Sequence, residues 1–208
     1  MSRHTGPKCR LCRREGQKLF LKGERCFTAK CGLAKRETTP GMHTWRRGKP
    51  SQYSFQLREK QKVKRYYSMR ERPFRHFFHA AERARGNTGE VLLTMLERRL
   101  DNVVYLGGLA ASRAQARQMI THGHIHVNGH RVDIASFLVK QDDEIKPKDN
   151  EKTKKLIKEN IELSRVRDVP PWLETTEAPA SITVRALPGR DDISVETREQ
   201  LVVELLSK

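Results

Sequence analysis

Residues 112–129, SRAQARQMITHGHIHVNG, decide the fold of this chain. Their first half predicts a short helix, because Ser112 and Gln115 have the spacing of a capping box, which satisfies free backbone N–H groups at a helix start. Their second half alternates apolar and polar residues, as a half-buried strand does. Asn128 and Gly129 then supply a two-residue turn, since both residue types accept positive φ. The stretch therefore predicts one helix followed by a β-hairpin.

The flanking sequence predicts more helices and a few strands. Apolar residues recur three and four positions apart on both sides of the stretch, which is the spacing of an amphipathic helix. Helices are expected at Phe55–Met69, from Pro73 to Gly86, from Asn87 or Thr88 to Gly107, and from Glu151 to Val166, with strands at Phe137–Ile145 and Ser181–Leu187. The final residues predict an amphipathic helix or strand. The expected fold class is α+β, mostly helical, with the helix–hairpin as a small module.

Positive charge is concentrated in the first half of the chain. Of 208 residues, 42 are Lys or Arg and 25 are Asp or Glu, giving a net charge of +17. Residues 1–100 hold 26 of the basic and 8 of the acidic side chains, so the second half is close to neutral. This asymmetry indicates a polyanionic partner, either nucleic acid or an anionic membrane. Because no segment has the apolar length of a signal peptide or a membrane span, we expect a cytoplasmic protein without a membrane partner.

Four cysteines lie close together near the N-terminus, and the chain has no others. Cys9 and Cys12 form a C-x2-C pair, and Cys26 and Cys31 form a C-x4-C pair. Thirteen residues separate the two pairs. In a reducing cytoplasm such a cluster favours metal binding over disulfides. Four thiolates also leave no open position for catalysis at the metal. The pattern predicts an N-terminal four-cysteine metal knuckle that holds Zn²⁺, with an iron–sulfur cluster as the less favoured alternative.

Candidate nucleic-acid contacts lie in three parts of the chain. The first is an irregular basic arm at residues 34–52, and the second is the basic helix that follows it. The third is the helix–hairpin, which has two arginines four residues apart and hence on one helix face. Cations are expected to bind phosphates, and amide and imidazole groups to bond to sugar or backbone. The full set is Arg46, Arg47, Arg58, Lys60, Gln61, Lys62, Arg65, Arg113, Gln115, Arg117, His122 and Asn128.

The helix–hairpin resembles the RNA-binding module named after ribosomal protein S4, through the pattern Arg113-x-x-Ala116-Arg117-x-x-Ile120-x-x-Gly123-x-Ile125-x-Val127-Asn128-Gly129. Other segments are similar to motifs of the same family in its bacterial, zinc-bearing form. In family order they are Thr5-Gly6-Pro7-x-Cys9, Lys22-Gly23-Glu24-Arg25-Cys26, Leu57-Arg58-Glu59-Lys60-Gln61-Lys62, Leu96-Glu97-x-Arg99-Leu100-Asp101-Asn102-Val103-Val104-Tyr105 and His122-Gly123-His124-Ile125. Together they cover nearly the full length.

The resemblance implies a role in the small ribosomal subunit. Members of this family bind 16S ribosomal RNA early in assembly, at a junction of several helices, and nucleate the folding of that RNA domain. They also contact small-subunit ribosomal protein S5 and help line the mRNA entry path, which bears on decoding accuracy. The resemblance thus implies a structural ribosomal protein, with zinc as the bound metal.

Two other classes of function are compatible with the module alone. One is an RNA-modifying or tRNA-charging enzyme, and the other is a zinc-bearing DNA-binding regulator. The sequence has no phosphate-cradling Gly-rich loop, no Ser/His/Asp order and no free cysteine nucleophile. We therefore expect no catalytic residue and no small-molecule substrate.

Four segments are expected along the chain. Residues 1–50 form the metal-binding module and basic arm, and residues 51–95 form a helical region that packs with the C-terminal half. Residues 96–150 hold the helix–hairpin module. Residues 151–208 form a helix and strand segment that packs on the helical region.

Overall fold

In a computed structural model, the chain is described over residues 4–42, 49–178, 180–193 and 195–207. It folds into two compact units. Unit 1 contains the described residues up to Leu93 together with 195–207, and unit 2 contains Thr94–Ile193. Helices and an antiparallel sheet are both present, so the predicted α+β class is confirmed. Within the described ranges, no helix has the length and apolar character needed to cross a bilayer.

The elements follow one another as a run of helices interrupted by a small sheet. The helices are α1 (Lys8–Glu15), α2 (Gly32–Lys35), α3 (Gln52–Tyr66), α4 (Glu71–Arg83), α5 (Thr88–Glu97), α6 (Leu100–Leu106), α7 (Arg113–Thr121), α8 (Glu151–Ser164) and α9 (Glu199–Leu206), with a 3₁₀ turn at Gly23–Cys26. The strands are β1 (Ile125–Val127), β2 (His130–Arg131), β3 (Glu144–Pro147), β4 (Leu173–Glu177) and β5 (Ala180–Val184).

Aromatic residues of α4 form much of the core of unit 1. Phe74, Phe77, Phe78 and Ala81 are all buried, as their i, i+3, i+4, i+7 spacing predicts. Helix α9 packs against α3 in the same unit. The Nε2 atom of Gln56 on α3 donates to a Glu204 carboxylate oxygen on α9 at 2.8 Å. Of the two structures that the sequence left open for this segment, Glu199–Leu206 forms the helix.

Unit 2 is organised around a five-stranded antiparallel sheet in the order β2-β1-β3-β5-β4. Apolar side chains from one face of the sheet, among them Ile125, Ile145 and Ile182, are fully buried with residues of α6 and α7. Strand β4 was not predicted, because its residues are mostly polar and exposed. Its place in the sheet comes from pairing with β5.

The helix–hairpin forms as predicted. The Ser112 hydroxyl oxygen accepts a hydrogen bond from the Gln115 N–H at 3.2 Å. The Gln115 side chain returns to accept from the Ala111 N–H at 2.7 Å. Asn128 and Gly129 both have positive φ, at 51° and 79°, which is the backbone of a type I′ turn. Strand β1 then pairs with β2 across this turn.

The single helix predicted to run to Gly107 is wrong, because the structure has two helices, α5 and α6, with Arg99 between them. Arg99 is extended, with φ −65° and ψ 133°. The N–H of Leu100 donates to the Phe137 carbonyl at 2.8 Å instead of to its own helix. No Gly or Pro marks this break. It arises from contact with a segment almost forty residues later, which periodicity cannot indicate.

The residues after 150 are shared between the two units. Helix α8 and strands β4 and β5 belong to unit 2, and α9 belongs to unit 1. Strand β5 pairs with β3 through Glu144 with Thr183 and Ile145 with Ile182. These pairings join residues that lie almost forty positions apart in the sequence.

Candidate nucleic-acid interface and cysteine cluster

The four cysteines converge on one small cavity of unit 1. Cys9 and Cys12 lie three residues apart on α1 and so share one face of that helix. Cys26 ends the 3₁₀ turn, and Cys31 directly precedes α2. All four line one small cavity.

The backbone approaches two of these thiols closely. The N–H of Lys22 donates to the Cys26 Sγ atom at 3.4 Å. A Cβ atom added to Gly32 would lie 2.9 Å from the Cys9 Cβ atom and 3.0 Å from its Sγ atom. Any side chain at Gly32 would therefore displace Cys9 from the cavity.

The thiols of Cys12, Cys26 and Cys31 differ in how readily they ionise. Burial raises the pKa of Cys12 and of Cys26. Burial also opposes ionisation of Cys31, but N–H groups of Ala34 and Leu33 bond to its sulfur and lower its pKa. In the part of the chain that the structure describes, no group of three or more His, Cys, Asp or Glu side chains is arranged so that it could hold a metal ion.

A buried carboxylate joins the cysteine module to the basic helix α3. The Glu15 side chain, at the end of α1, has no exposed surface. One of its oxygens accepts from Arg58 at 3.3 Å and also from Arg65, both on α3. Burial raises the pKa of Glu15, against the effect of the two arginines. Arg58 and Arg65 were predicted to bind phosphates, and in the structure each is paired with this carboxylate.

The lysines of α3 are also paired with acids. Lys60 donates to Glu71 at 2.6 Å and is only 7% exposed. Lys62 donates to Glu59 at 2.7 Å, whereas Gln61 is partly exposed. Lys60 has little surface for a phosphate, and its ion pair instead supports the packing of α3 against α4. Its RNA contact stays a prediction.

The two arginines of α7 point into unit 2. Arg113 is 4% exposed, and its guanidinium lies 4.4 Å from the centre of the Tyr105 ring. Its Nε atom donates to the Asn102 side-chain oxygen at 2.8 Å. Arg117 pairs with buried Asp101 at 3.0 Å. We therefore assign Arg113 a role in the fold, because a guanidinium enclosed in this way has little surface for phosphate, and its RNA contact stays a prediction.

Of the polar side chains of the helix–hairpin that were predicted to bind RNA, some bond to other side chains of the protein and one is exposed. Gln115 donates to the Asn160 side chain at 3.2 Å in addition to capping α7. Asn128 donates to Asp143 at 2.8 Å, which ties the hairpin turn to the start of β3. His122 is exposed and lies beside the His124 ring. Arg46 and Arg47 lie outside the described residues.

Exposed cations of the cysteine module were not among the predicted contacts. They include Arg10, Arg14, Lys18, Lys22 and Lys30, all exposed. Within the described residues, no ion pair involves any of these five. The concentration of charge in residues 1–50 was the signal that could have identified them. The sequence alone could not separate these free cations from the paired cations of α3.

Comparisons with known proteins identify similar proteins along the whole chain. Residues 3–97 match the family described as "Ribosomal protein S4/S9 N-terminal domain", and residues 98–145 match the S4 domain family. The chain is 53% identical over 208 residues to small ribosomal subunit protein uS4 of Thermoanaerobacter sp. (strain X514), covering all of both chains. It is 52% identical to protein uS4A of Symbiobacterium thermophilum, again over 100% of each chain. The uS4 protein of Acidithiobacillus ferrooxidans is 51% identical over 210 aligned positions, also with full coverage.

Proposed function

Because this chain belongs to the uS4 family of small ribosomal subunit proteins, we propose that it is a structural, non-enzymatic constituent of the small ribosomal subunit that binds 16S ribosomal RNA. The full-length similarity to uS4 proteins carries this proposal. The strong excess of positive charge in the first hundred residues supports it. The protein acts in the cytoplasm as part of that subunit. No observation favours an enzyme or a DNA-binding regulator.

The finer role follows from the family. The protein binds 16S ribosomal RNA early, at a helical junction, and nucleates folding of the surrounding RNA. It contacts ribosomal protein S5 and lies near the mRNA entry path, where it supports decoding accuracy. A folded RNA junction is recognised by its shape and its backbone more than by base sequence. Cations held on several rigid elements suit such a target.

The exposed cations of the cysteine module are the phosphate contacts that we favour. Arg10 and Lys18 extend from a module whose backbone is fixed by short helices and turns. Each phosphate that they neutralise releases counterions from the RNA, which makes the affinity depend on salt. Paired residues such as Arg65 instead fix the helix that the module packs against.

The RNA proposal is tested by binding to a transcript of the 16S 5′ region and to duplex DNA of equal length at equal salt. We expect a preference for the transcript and a fall in affinity of about 10³–10⁵ between roughly 50 and 200 mM salt if 6–10 phosphates are bound. The double substitution Arg10→Gln/Lys18→Gln should reduce the slope of log affinity against log salt by about 2, since each phosphate contact contributes about 1. Lys140→Gln, on an exposed side chain of unit 2, is the control and should leave the slope unchanged. A preference for the duplex would contradict the proposal.

We also propose that Cys9, Cys12, Cys26 and Cys31 bind one Zn²⁺ ion. The small shared cavity, the N–H bond to Cys26 and the close approach of Gly32 to Cys9 support this. Zinc bound by four thiolates is structural and would contribute folding free energy to a module with little apolar core.

Elemental analysis of the purified protein tests the zinc proposal. We expect about one zinc per chain, because four thiolates complete a tetrahedral site. Cys26→Ser should lower the zinc content strongly, and Gly32→Ala should lower it by displacing Cys9. Ala29→Ser changes an exposed residue of the same loop and should retain the metal. Full zinc content in Cys26→Ser, or iron with acid-labile sulfide in the native protein, would contradict the proposal.

A further inference from the structure

A groove runs along α8 in unit 2, and neither the RNA contacts nor the cysteines use it. It has a volume of about 510 Å³ and lies between the end of β3, one side of α8, and the turn between β4 and β5. Its floor is apolar and includes Pro147, Ile157, Ile161 and Ala180. A second cavity of about 110 Å³ shares Ile161 and Glu177 with it. The larger of the two cavities is here called the α8 groove.

The rim of the α8 groove is positively charged. Four lysines line it, namely Lys146, Lys148, Lys154 and Lys158, against two acids, Asp149 and Glu177. Both acids are engaged, Asp149 with Lys154 at 2.5 Å and Glu177 with Arg165 at 3.6 Å. Lys148 and Lys158 are exposed, and neither has an ion-pair partner among the described residues. The rim therefore has positive charge available for an anionic ligand.

The apolar residues on the floor of the α8 groove determine which class of anionic ligand can bind there. A nucleic-acid backbone could neutralise the lysines, but it has no apolar side chain to cover Pro147, Ile161 and Ala180, which are partly exposed. Bases bind single-stranded sites by stacking on aromatic or Arg planes, and none of the residues that line the larger cavity is aromatic or arginine. A protein segment that alternates carboxylates with aliphatic side chains satisfies both the rim and the floor. The volume lies within the range of 300–1,000 Å³, roughly, that is usual for specific binding sites.

We propose that the α8 groove is a docking site for an acidic, leucine-bearing segment of another protein. The aliphatic side chains of the segment pack on Pro147 and Ile161, and its carboxylates pair with Lys148 and Lys158. This site is independent of the RNA surface and of the cysteines. Its failure would leave the ribosomal role of the chain untouched.

The test uses the full-length protein and a fluorescein-labelled heptapeptide, Asp-Leu-Glu-Leu-Glu-Leu-Asp, in an anisotropy titration up to 1 mM. We expect saturable binding that weakens at least tenfold in the variant Lys148→Glu/Lys158→Glu. The matched control is Lys152→Glu/Lys155→Glu, which makes the same change of charge at exposed positions of α8 that do not line the groove. The control should bind the peptide within about twofold of the native protein.

A second peptide separates the contribution of apolar contacts to the binding affinity from the contribution of charge. In Asp-Ser-Glu-Ser-Glu-Ser-Asp the charge is kept and the leucines are removed, and we expect its affinity to be at least tenfold lower. Equal binding of the two peptides, or equal loss in both lysine variants, would mean non-specific attraction and would overturn the proposal. Absence of binding up to 1 mM would overturn it too.

A single-stranded RNA oligomer, decauridylate, completes the test. Its affinity should fall by the same factor in the groove variant and in the control variant. If only the groove variant lost RNA binding while the leucine peptide failed to bind, the groove would be a nucleic-acid site, and the proposal of a protein ligand would be wrong.

Discussion

The sequence predicts that Arg113 binds phosphate, but in the structure this arginine is buried within unit 2. Its position four residues before Arg117 predicted a phosphate-binding pair on one helix face, yet its side chain is enclosed by Tyr105 and Asn102. Asn102 in turn donates to the Glu97 carbonyl at 2.9 Å. The arginine therefore completes a polar network that links α7 to the joint between α5 and α6. A buried network of this kind holds a fold in one arrangement only when each member has its partner.

Replacing Arg113 should consequently affect stability before it affects RNA binding. Arg113→Gln leaves Asn102 without its donor and removes packing from the Tyr105 ring, so we expect unit 2 to lose about 2–4 kcal/mol. Urea unfolding followed by tryptophan fluorescence measures this loss, since Trp172 is buried in unit 2. If Arg113→Gln kept native stability and lost RNA affinity alone, the assignment of Arg113 to the fold would fail.

At the scale of elements, one carboxylate forms ion pairs that connect α3 to α4. Glu71 is the first residue of α4, and it accepts from Lys60 at 2.6 Å and from Lys64 at 2.8 Å, both on α3. Burial opposes ionisation of Glu71, but bonds from these lysines lower its pKa to about 2. Because the pKa in the folded state is below its ordinary value of 4.5, the ionised carboxylate stabilises the fold.

The stabilisation by Glu71 should therefore depend on pH with a definite sign. It is fully present above about pH 4.5 and is lost as the pH falls towards about 2. Since Glu71 is about one-third exposed, solvent screening reduces the effect, and we expect Glu71→Gln to cost only about 1 kcal/mol at pH 7. Urea unfolding at pH 7, 5 and 3 should show the difference from the native protein shrinking at the lowest pH. Glu82→Gln, on the exposed side of the same helix, is the control and should have little effect at any pH. A difference that grew on acidification would contradict the assigned pKa.

Some elements of the fold follow from signals between neighbouring residues, and others follow from contacts between segments that lie far apart in the sequence. The capping residues of α7, the aromatic face of α4 and the Asn128-Gly129 turn all act within a few positions, and the sequence predicted each of them. Strand β4 pairs with the neighbouring β5, but it was not predicted because its residues are mostly polar and exposed. The break at Arg99 depends on a hydrogen bond from Leu100 to Phe137, far along the chain. No pattern in a short window contains that information.

At the scale of the whole molecule, the chain has two units with separate cores. The hydrophobic cluster around Leu100, Ile120 and Ile182 lies entirely within unit 2. The cysteines and the aromatic face of α4 lie in unit 1. Binding of a metal to the thiols should therefore stabilise only one of the two cores.

Removal of the metal should affect unit 1 and spare unit 2. After treatment with a chelator, we expect faster amide hydrogen exchange over residues 8–35, because metal binding supplies folding free energy to that module. Exchange in the helix–hairpin, residues 113–131, should be unchanged, as measured by mass spectrometry of proteolytic fragments. The variant Cys12→Ser/Cys26→Ser should reproduce the pattern without chelator. Equal acceleration in both regions would contradict the independence of the two cores.

By itself, the amino-acid sequence determined the fold class, the helix–hairpin, the spacing of the cysteines and the concentration of positive charge, because each depends on residue types at short, fixed spacing. Tertiary structure alone decided which cations reach the surface. Arg58 and Arg65 meet Glu15 more than forty residues away, Arg113 meets Asn102 on another helix, and Lys18 and Lys22 meet no acid among the described residues. The physical reason is that a charge is neutralised by whatever the fold places within a few ångströms of it, and the spacing of residues along one helix does not specify that neighbour.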